Sequence, residues 1–253
     1  MRNKRGQAVL FIILGIILLF SVFLFFFIKP EVIFSKKSIE DPSLDIRSCI
    51  LDSIKKHEEN FFKEKQFLEE FKVFYVYRGE RVPFSCFTSE FYFPCVQQSP
   101  LFIESVRRKI ENKVSRDLSR CLLTIKENYD KKGYSFLYED YSFNLIFEEK
   151  QISFDFKTNI HLSKGESSLS ISNLKGNFKS SLPALLRTAE TINNYESTFC
   201  EFDLMVWQAM NRDVKIDRFR GGDSTKVYIL NSAGDSKKEI KFAIRTCVMP
   251  AGI

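Results

Sequence analysis

The order of apolar and polar residues divides the chain into stretches of different period. Residues 8–28 have no period: the run is apolar throughout, carries no charge and is interrupted only by Gly15 and Ser21. As a helix rising ~1.5 Å per residue it spans about 31 Å, enough for a hydrocarbon core of roughly 30 Å. Residues 29–40 are a polar, lysine-containing tether. Beyond them the helical period takes over. Asp41-Pro42-Ser43 reads as a helix start, with Asp41 as N-cap and Pro42 at the first helical position. Ile46, Ile50, Ile54, His57, Phe61, Leu68 and Phe71 then recur three, four or seven residues apart, predicting an amphipathic helix over about 42–71.

The pattern turns extended at "KVFYVYRGERVPFSCF", where Gly79 can turn a hairpin. Ser99-Pro100 repeats the helix-start chemistry. Ile103, Val106, Ile110, Val114, Leu118, Cys121, Leu122, Ile125 and Tyr129 follow at helical spacing, and Gly133 suits the helix end. From Tyr134 to Phe178 the period is two, predicting an antiparallel meander of about three strands with one apolar face. A third helical zone opens at Ser181-Leu182-Pro183, with Asn193-Asn194 as a candidate break and "EFDLMVWQAMNR" as its resumption. Val214–Phe219, Lys226–Leu230 and Glu239–Thr246 read as strands, separated by Gly221-Gly222-Asp223 and Ala233-Gly234-Asp235.

These elements predict an α+β fold: an N-terminal transmembrane helix, then an extracytoplasmic domain in which long amphipathic helices pack on an antiparallel β-meander. The expected organisation is a cytoplasmic basic head at 1–7, the transmembrane helix at 8–28, the tether at 29–40 and the α+β domain at 41–253. Two sub-domains meeting near Phe178 are the alternative. Arg2, Lys4 and Arg5 precede the apolar run and place the short end in the cytoplasm, so residues 8–28 meet the lipid bilayer and the rest faces outward. A cleaved secretory leader fits less well. Its apolar region would exceed the usual ~7–15 residues, and "KPEVIFSKK" offers no A-x-A-like site.

Arg5-Gly6-Gln7, the short basic head and the apolar run that follows resemble an archaeal class III signal, the leader of type IV pilin-like envelope proteins. The resemblance covers the N-terminal segment alone. It implies cleavage between Gly6 and Gln7, with the apolar run retained. Pilin-like leaders usually carry Glu at the fifth mature position, where this chain has Phe11. The stretch is also similar to the anchors of membrane-tethered archaeal proteins.

Composition adds a compartment. All six cysteines lie beyond the apolar run, as three disulfides in an oxidising space would require. Cys49 and Cys121 fall on the apolar faces of the first two helices and form the expected staple; the alternative is two buried free thiols. Cys86 and Cys95 bracket the short loop "FTSEFYFP", and Cys200 is left to pair with Cys247. Zinc is the rival reading, but there is no C-x2-C pair and the histidines are His57 and His161 alone. Arg2, Lys4 and Arg5 account for three of the 38 basic residues, leaving 35 against 32 acidic ones beyond residue 28. That balance gives no reason to expect nucleic acid as a partner. The 27 phenylalanines read as core filling, with aromatic functional surfaces as the lesser alternative.

No sequence motif supplies catalysis. "HEEN" at 57–60 has Phe61 where a zinc protease helix needs its second histidine, and no nucleophile elbow, P-loop or dinucleotide fingerprint is present. No cofactor is expected. Arg218 and Arg220 beside Gly221-Gly222 are candidate anion contacts, weighed against a charged strand end and a turn. The reading is a membrane-anchored envelope protein that holds or contacts other envelope proteins or copies of itself. A pilin-like filament subunit is the first alternative, and an envelope enzyme or ligand-binding receptor the second.

Overall fold

The computed structural model describes residues 15–20, 40–63 and 71–249, which fall into two units, Met1–Glu40 and Asp41–Ile253. In the first unit, residues 15–20 are helical. The processing position Gly6-Gln7, the remainder of 8–28 and residues 29–39 lie outside the described residues.

The second unit begins with α1 (Ser43–Lys63). Asp41 Oδ1 accepts the Ser43 amide at 2.8 Å, so one orphan donor of the first turn is satisfied. Ile46, Ile50 and Ile54 are fully buried along its inner stripe and Phe61 nearly so, each contributing about 1.5–3 kcal/mol of apolar burial. Residues 64–70 of the helix expected to reach 71 lie outside the described residues. α2 (Phe102–Lys131) starts after Ser99-Pro100; its N-cap position is Leu101, with no side-chain cap. It stops where Gly133 takes φ +80°, a conformation nearly free of cost for glycine. Val106, Ile110, Val114, Leu118 and Leu122 form its buried face.

Two sheets surround these helices. One is mixed, ordered β1 (Phe74–Tyr77), β2 (Glu80–Phe87), β10 (Asp235–Arg245), β9 (Lys226–Ser232), β8 (Val214–Arg220), with β3 (Val96–Gln97) also on β2. Arg78 and Gly79, both at positive φ, make the tight β1–β2 turn. β10 pairs with β9 antiparallel but with β2 parallel. The other sheet is antiparallel: β6 (Gln151–Lys164) carries β4 (Ser135–Tyr138) and β5 (Ser142–Phe147) end to end along one edge and β7 (Ser167–Lys179) along the other. On β6, Ile152, Phe154, Phe156, Ile160 and Leu162 are buried, alternating with Ser153, Asp155, Lys157, Asn159 and His161. That alternation leaves one face polar. α1 and α2 cover this sheet, and α3 (Leu182–Phe199) covers the mixed one. α3 runs unbroken through Asn193 and Asn194 to Cys200, whose φ of 63° ends it. α4 (Leu204–Met210) follows, capped by Asp203, which accepts the Val206 amide.

The expected fold class needs correction in two respects. No helix among the described residues is long and apolar enough to cross a membrane. Of the expected span 8–28, residues 15–20 are described and are helical. α1 and α2 are long enough to matter but carry charged outer faces. Secondly, the domain is α+β with one antiparallel and one mixed sheet, rather than helices on a single meander. The β2–β10 pair joins strands some 158 residues apart in the chain, which no local periodicity encodes.

Candidate functional site

The three cysteine pairs Cys49–Cys121, Cys86–Cys95 and Cys200–Cys247 all lie at disulfide distance, with Cα separations of 6.6, 5.4 and 5.7 Å. No cysteine is left free. The last two flank one end of the mixed sheet, where the "FTSEFYFP" loop meets the chain after β10. Thr88 N–H donates to the Arg245 carbonyl, Tyr92 N–H to that of Val248 and Cys247 N–H to that of Phe93. The Arg245 guanidinium returns a bond to the Thr88 carbonyl and lies 5.8 Å from the centre of the Phe91 ring. Cys95 N–H donates to Thr246 Oγ1 at 3.0 Å. The loop backbone is therefore pinned at both of its ends and along its length.

Its aromatic side chains are left largely exposed. Phe91, Tyr92 and Phe93 are 46, 57 and 59 % exposed, and Val96, Phe199 and Met249 beside the same two cystines exceed 65 %. Among the described residues, three of the five non-glycine positions at positive φ occur here: Tyr92, Cys200 and Cys247. Such backbone costs of order 1–3 kcal/mol per residue and persists where surrounding contacts over-determine it. A rigid backbone presenting three consecutive exposed aromatics is the arrangement that interfaces use for anchors, because aromatic rings offer large contact area with few rotatable bonds.

Beneath this end a buried ionic network holds α3 to the mixed sheet. Lys226 Nζ donates to Glu196 Oε2 at 2.6 Å, Glu201 Oε2 at 2.7 Å and the Cys200 carbonyl at 2.8 Å, using all three ammonium hydrogens. Glu196 is fully buried, and its other oxygen accepts from the Tyr228 hydroxyl and the Phe202 amide. Burial, and then the Glu196 carboxylate, push the Tyr228 phenol well above its usual range. Burial alone would raise Glu201, but Lys226, Arg218 and Arg220 together hold its carboxyl below the ordinary value. Arg218 and Arg220, the candidate anion contacts, face Glu201 at 2.6 and 2.7 Å. The anion between them is the chain's own carboxylate.

His57 lies between α1 and α2. Its Nε2 is 2.9 Å from Asp117 Oδ2, which also accepts from Ser53 Oγ at 3.1 Å. Lys56 and Arg120 approach the same carboxylate at 3.5 and 3.2 Å. Burial would raise Asp117, but His57, Ser53 and Lys56 keep it below the ordinary value. Serine and histidine both bond the acid and not each other, so this is not a nucleophile-base-acid relay. His161 is exposed and meets Ser170 Oγ. No group of three or more metal-ligating side chains occurs among the described residues.

Phenylalanine abundance reads first as core filling and does not point to the aromatic loop. A signal was available: three consecutive aromatics in a loop of eight residues cannot all face one side of a strand. Glu196, Lys226 and Tyr228 carried no such signal. Comparison with protein-family models, with curated proteins and with solved structures finds no match to this chain in any of the three.

Proposed function

We propose that this chain is an extracytoplasmic envelope protein that acts by contact. It attaches to the lipid bilayer through residues 8–28 and binds a protein partner through Phe91, Tyr92 and Phe93. The observation that carries the reading is the exposure of those three aromatics on a backbone clamped beside two cystines. The cystines support an oxidising compartment. The charge-free run supports association with lipid. The polar rim of Glu90, Ser89 and Arg245 suits a protein surface better than hydrocarbon, since a charged rim around an apolar centre is the common anatomy of protein interfaces.

The test is site-specific photo-crosslinking in native cells, with the crosslinker placed at Tyr92 and, as a control, at the exposed Leu137 on the opposite sheet. A discrete protein adduct from position 92 alone is the expected result. Adducts to lipid alone, or equal labelling from both positions, would overturn the contact surface. Fractionation of the same cells tests the compartment: the protein should sediment with membranes and resist thiol alkylation until reduced. Peptide mapping of the amino terminus separates this reading from the pilin-like one, which the Arg5-Gly6-Gln7 motif favours and which requires a mature chain beginning at Gln7.

A further inference from the structure

The outermost strand of a sheet has main-chain groups that no further strand bonds, and an uncovered edge is a template for another chain. This chain covers the main chain of three edge strands with side chains. On β5, the Leu145 amide donates to Glu111 Oε2 at 2.8 Å and its carbonyl accepts from Arg107 Nη1 at 3.0 Å, so one ion pair on α2 takes the place of a neighbouring strand. The Phe147 carbonyl accepts from Arg187 at 2.8 Å. On β4, Lys126 Nζ donates to the Phe136 carbonyl at 3.0 Å and Asp130 Oδ1 accepts its amide at 3.4 Å. On β8, Gln208 does both with one amide group: Nε2 donates to the Val214 carbonyl at 2.8 Å and Oε1 accepts the Ile216 amide at 2.9 Å.

β7 differs. It is the longest edge strand, at 13 residues, and among the described residues no side chain bonds its main chain. The β1 edge is also uncovered but is four residues long. Which β7 groups face outward follows from the ladder. Ser180 N–H donates to the Lys150 carbonyl at 3.1 Å and continues the β6–β7 register as a hydrogen-bonded pair. Alternation then turns the main chain of Leu174, Gly176 and Phe178 toward β6 and that of Asn173, Lys175, Asn177 and Lys179 outward. These four residues are exposed, whereas Leu174 is buried and Gly176 and Phe178 are half-buried on the face against which α1 packs. A strand added here would therefore meet a polar row on one face and an apolar row on the other.

The polar row is basic. Lys175, Lys179 and, opposite Asn173, Lys157 share it with one acid, Asp155. Lys175 Nζ makes a long ion pair with Asp155 Oδ2 at 3.9 Å, while Asp155 Oδ1 is buried with no hydrogen-bond partner. Lysines on an open edge keep like edges apart, since a second copy would bring its own Lys175 and Lys179 to the seam. Carboxylates directly across a strand pair attract them instead. The two lysines stand four residues, about 13 Å, apart along the strand. We propose that β7 is a docking edge for an extended acidic segment of another protein. The segment adds as a further strand, bonds the main chain of Asn173, Lys175, Asn177 and Lys179, and sets its carboxylates beside the two lysines. The edge belongs to the other sheet from the aromatic loop and does not rest on the contact function assigned there.

Fluorescence anisotropy on the full-length protein, in a non-ionic detergent, tests it with three labelled peptides: alternating Glu-Val, alternating Lys-Val, and the Glu-Val peptide N-methylated throughout. The last keeps the charge and loses the main-chain donors. Saturable binding of the Glu-Val peptide alone is expected. Asn177→Pro removes one outward amide and no bond to β6, and should weaken binding about tenfold or more. Lys175→Glu combined with Lys179→Glu should turn the preference toward the Lys-Val peptide. Tyr92→Ala on the aromatic loop and Lys215→Ala on the other sheet should leave it unchanged. If Asn177→Pro fails to fold, the charge-reversed pair and the N-methylated peptide carry the test. Absence of saturable binding to the Glu-Val peptide, equal binding of its N-methylated form, or affinity indifferent to the edge variants would overturn the proposal. So would self-association in sedimentation that Asn177→Pro abolishes, which would assign the edge to a second copy.

Discussion

Two seams of this molecule have the same parts in the same order and use them differently. On α2, Asp117 stands four residues before Cys121; on α3, Glu196 stands four residues before Cys200. Each carboxylate therefore sits one helical turn from a cystine that ties its helix to another element. Asp117 lies at a helix–helix rim, its side chain 19 % exposed, and draws on His57, Ser53, Lys56 and Arg120. Glu196 is fully enclosed between α3 and the mixed sheet, bonded to Lys226, Tyr228 and the Phe202 amide. A rim carboxylate can exchange its partners with water. An enclosed one holds a fixed set, and its loss leaves an uncompensated charge. Depth, not residue type, separates an adjustable contact from a locked one.

Breaking the cystines should have the largest effect and should not distinguish the seams. Their sequence separations of 72 and 47 residues predict losses of about 4 kcal/mol each, nearly equal, when Cys49/Cys121 or Cys200/Cys247 is replaced by alanine pairs. Urea denaturation of each variant checks this. The ion pairs should then separate the two. Lys226→Met strands Glu196 and is expected to cost about 3 kcal/mol or more, whereas adding Glu196→Leu to it should recover most of the loss. At the other seam Asp117→Ala should cost about 2 kcal/mol, in the range for hydrogen bonds to a charged group.

The pH dependence sharpens the contrast further. The Asp117 carboxyl is held below its ordinary 3.8, so its contribution is complete above that pH and is lost as pH falls through the lower folded value. Tyr228 is held above its ordinary 10.0, so its contribution is complete below pH 10.0 and is lost as pH rises beyond it toward the folded value. Acid should thus weaken the α1–α2 seam and alkali the α3 seam, read by amide exchange on each helix. Glu201, also held low, adds an acid-sensitive component at the α3 seam. Its side chain is 48 % exposed, so Glu201→Gln should remove less of the acid transition than Asp117→Asn. The smallest effect belongs to Arg220→Ala, whose exposed pair with Glu201 should be worth under about 1 kcal/mol in the same denaturation assay.

How far these regions were legible follows from the distance over which their interactions act. The pairing of Cys49 with Cys121 could be read because both cysteines share a 3.6-residue stripe with isoleucines and leucines. The meander could be read because Ile152, Phe154 and Phe156 alternate with polar residues. Nothing local joined His57 to Asp117, 60 residues apart, or Lys226 to Glu196, 30 apart. Arg218 and Arg220 were visible as a cationic pair, while the carboxylate that faces them, Glu201, lay seventeen and nineteen residues upstream. The exposed loop at 91–93 was hidden for a different reason. An aromatic residue says nothing by itself about whether the fold has room for it inside.

The linear pattern by itself determined where most helices and strands form beyond residue 40, which faces of them are apolar, and the chemistry available for cross-linking. Those properties arise from backbone geometry and from neighbours within a turn or a pleat. Only the tertiary structure decided that β10 lies parallel to β2, that Glu196 is sealed while Asp117 stays at the rim, that three aromatics face solvent, and that one oxygen of Asp155 is left unpaired. Each of those depends on which distant segments exclude water from one another, and that exclusion exists only once the chain has closed on itself.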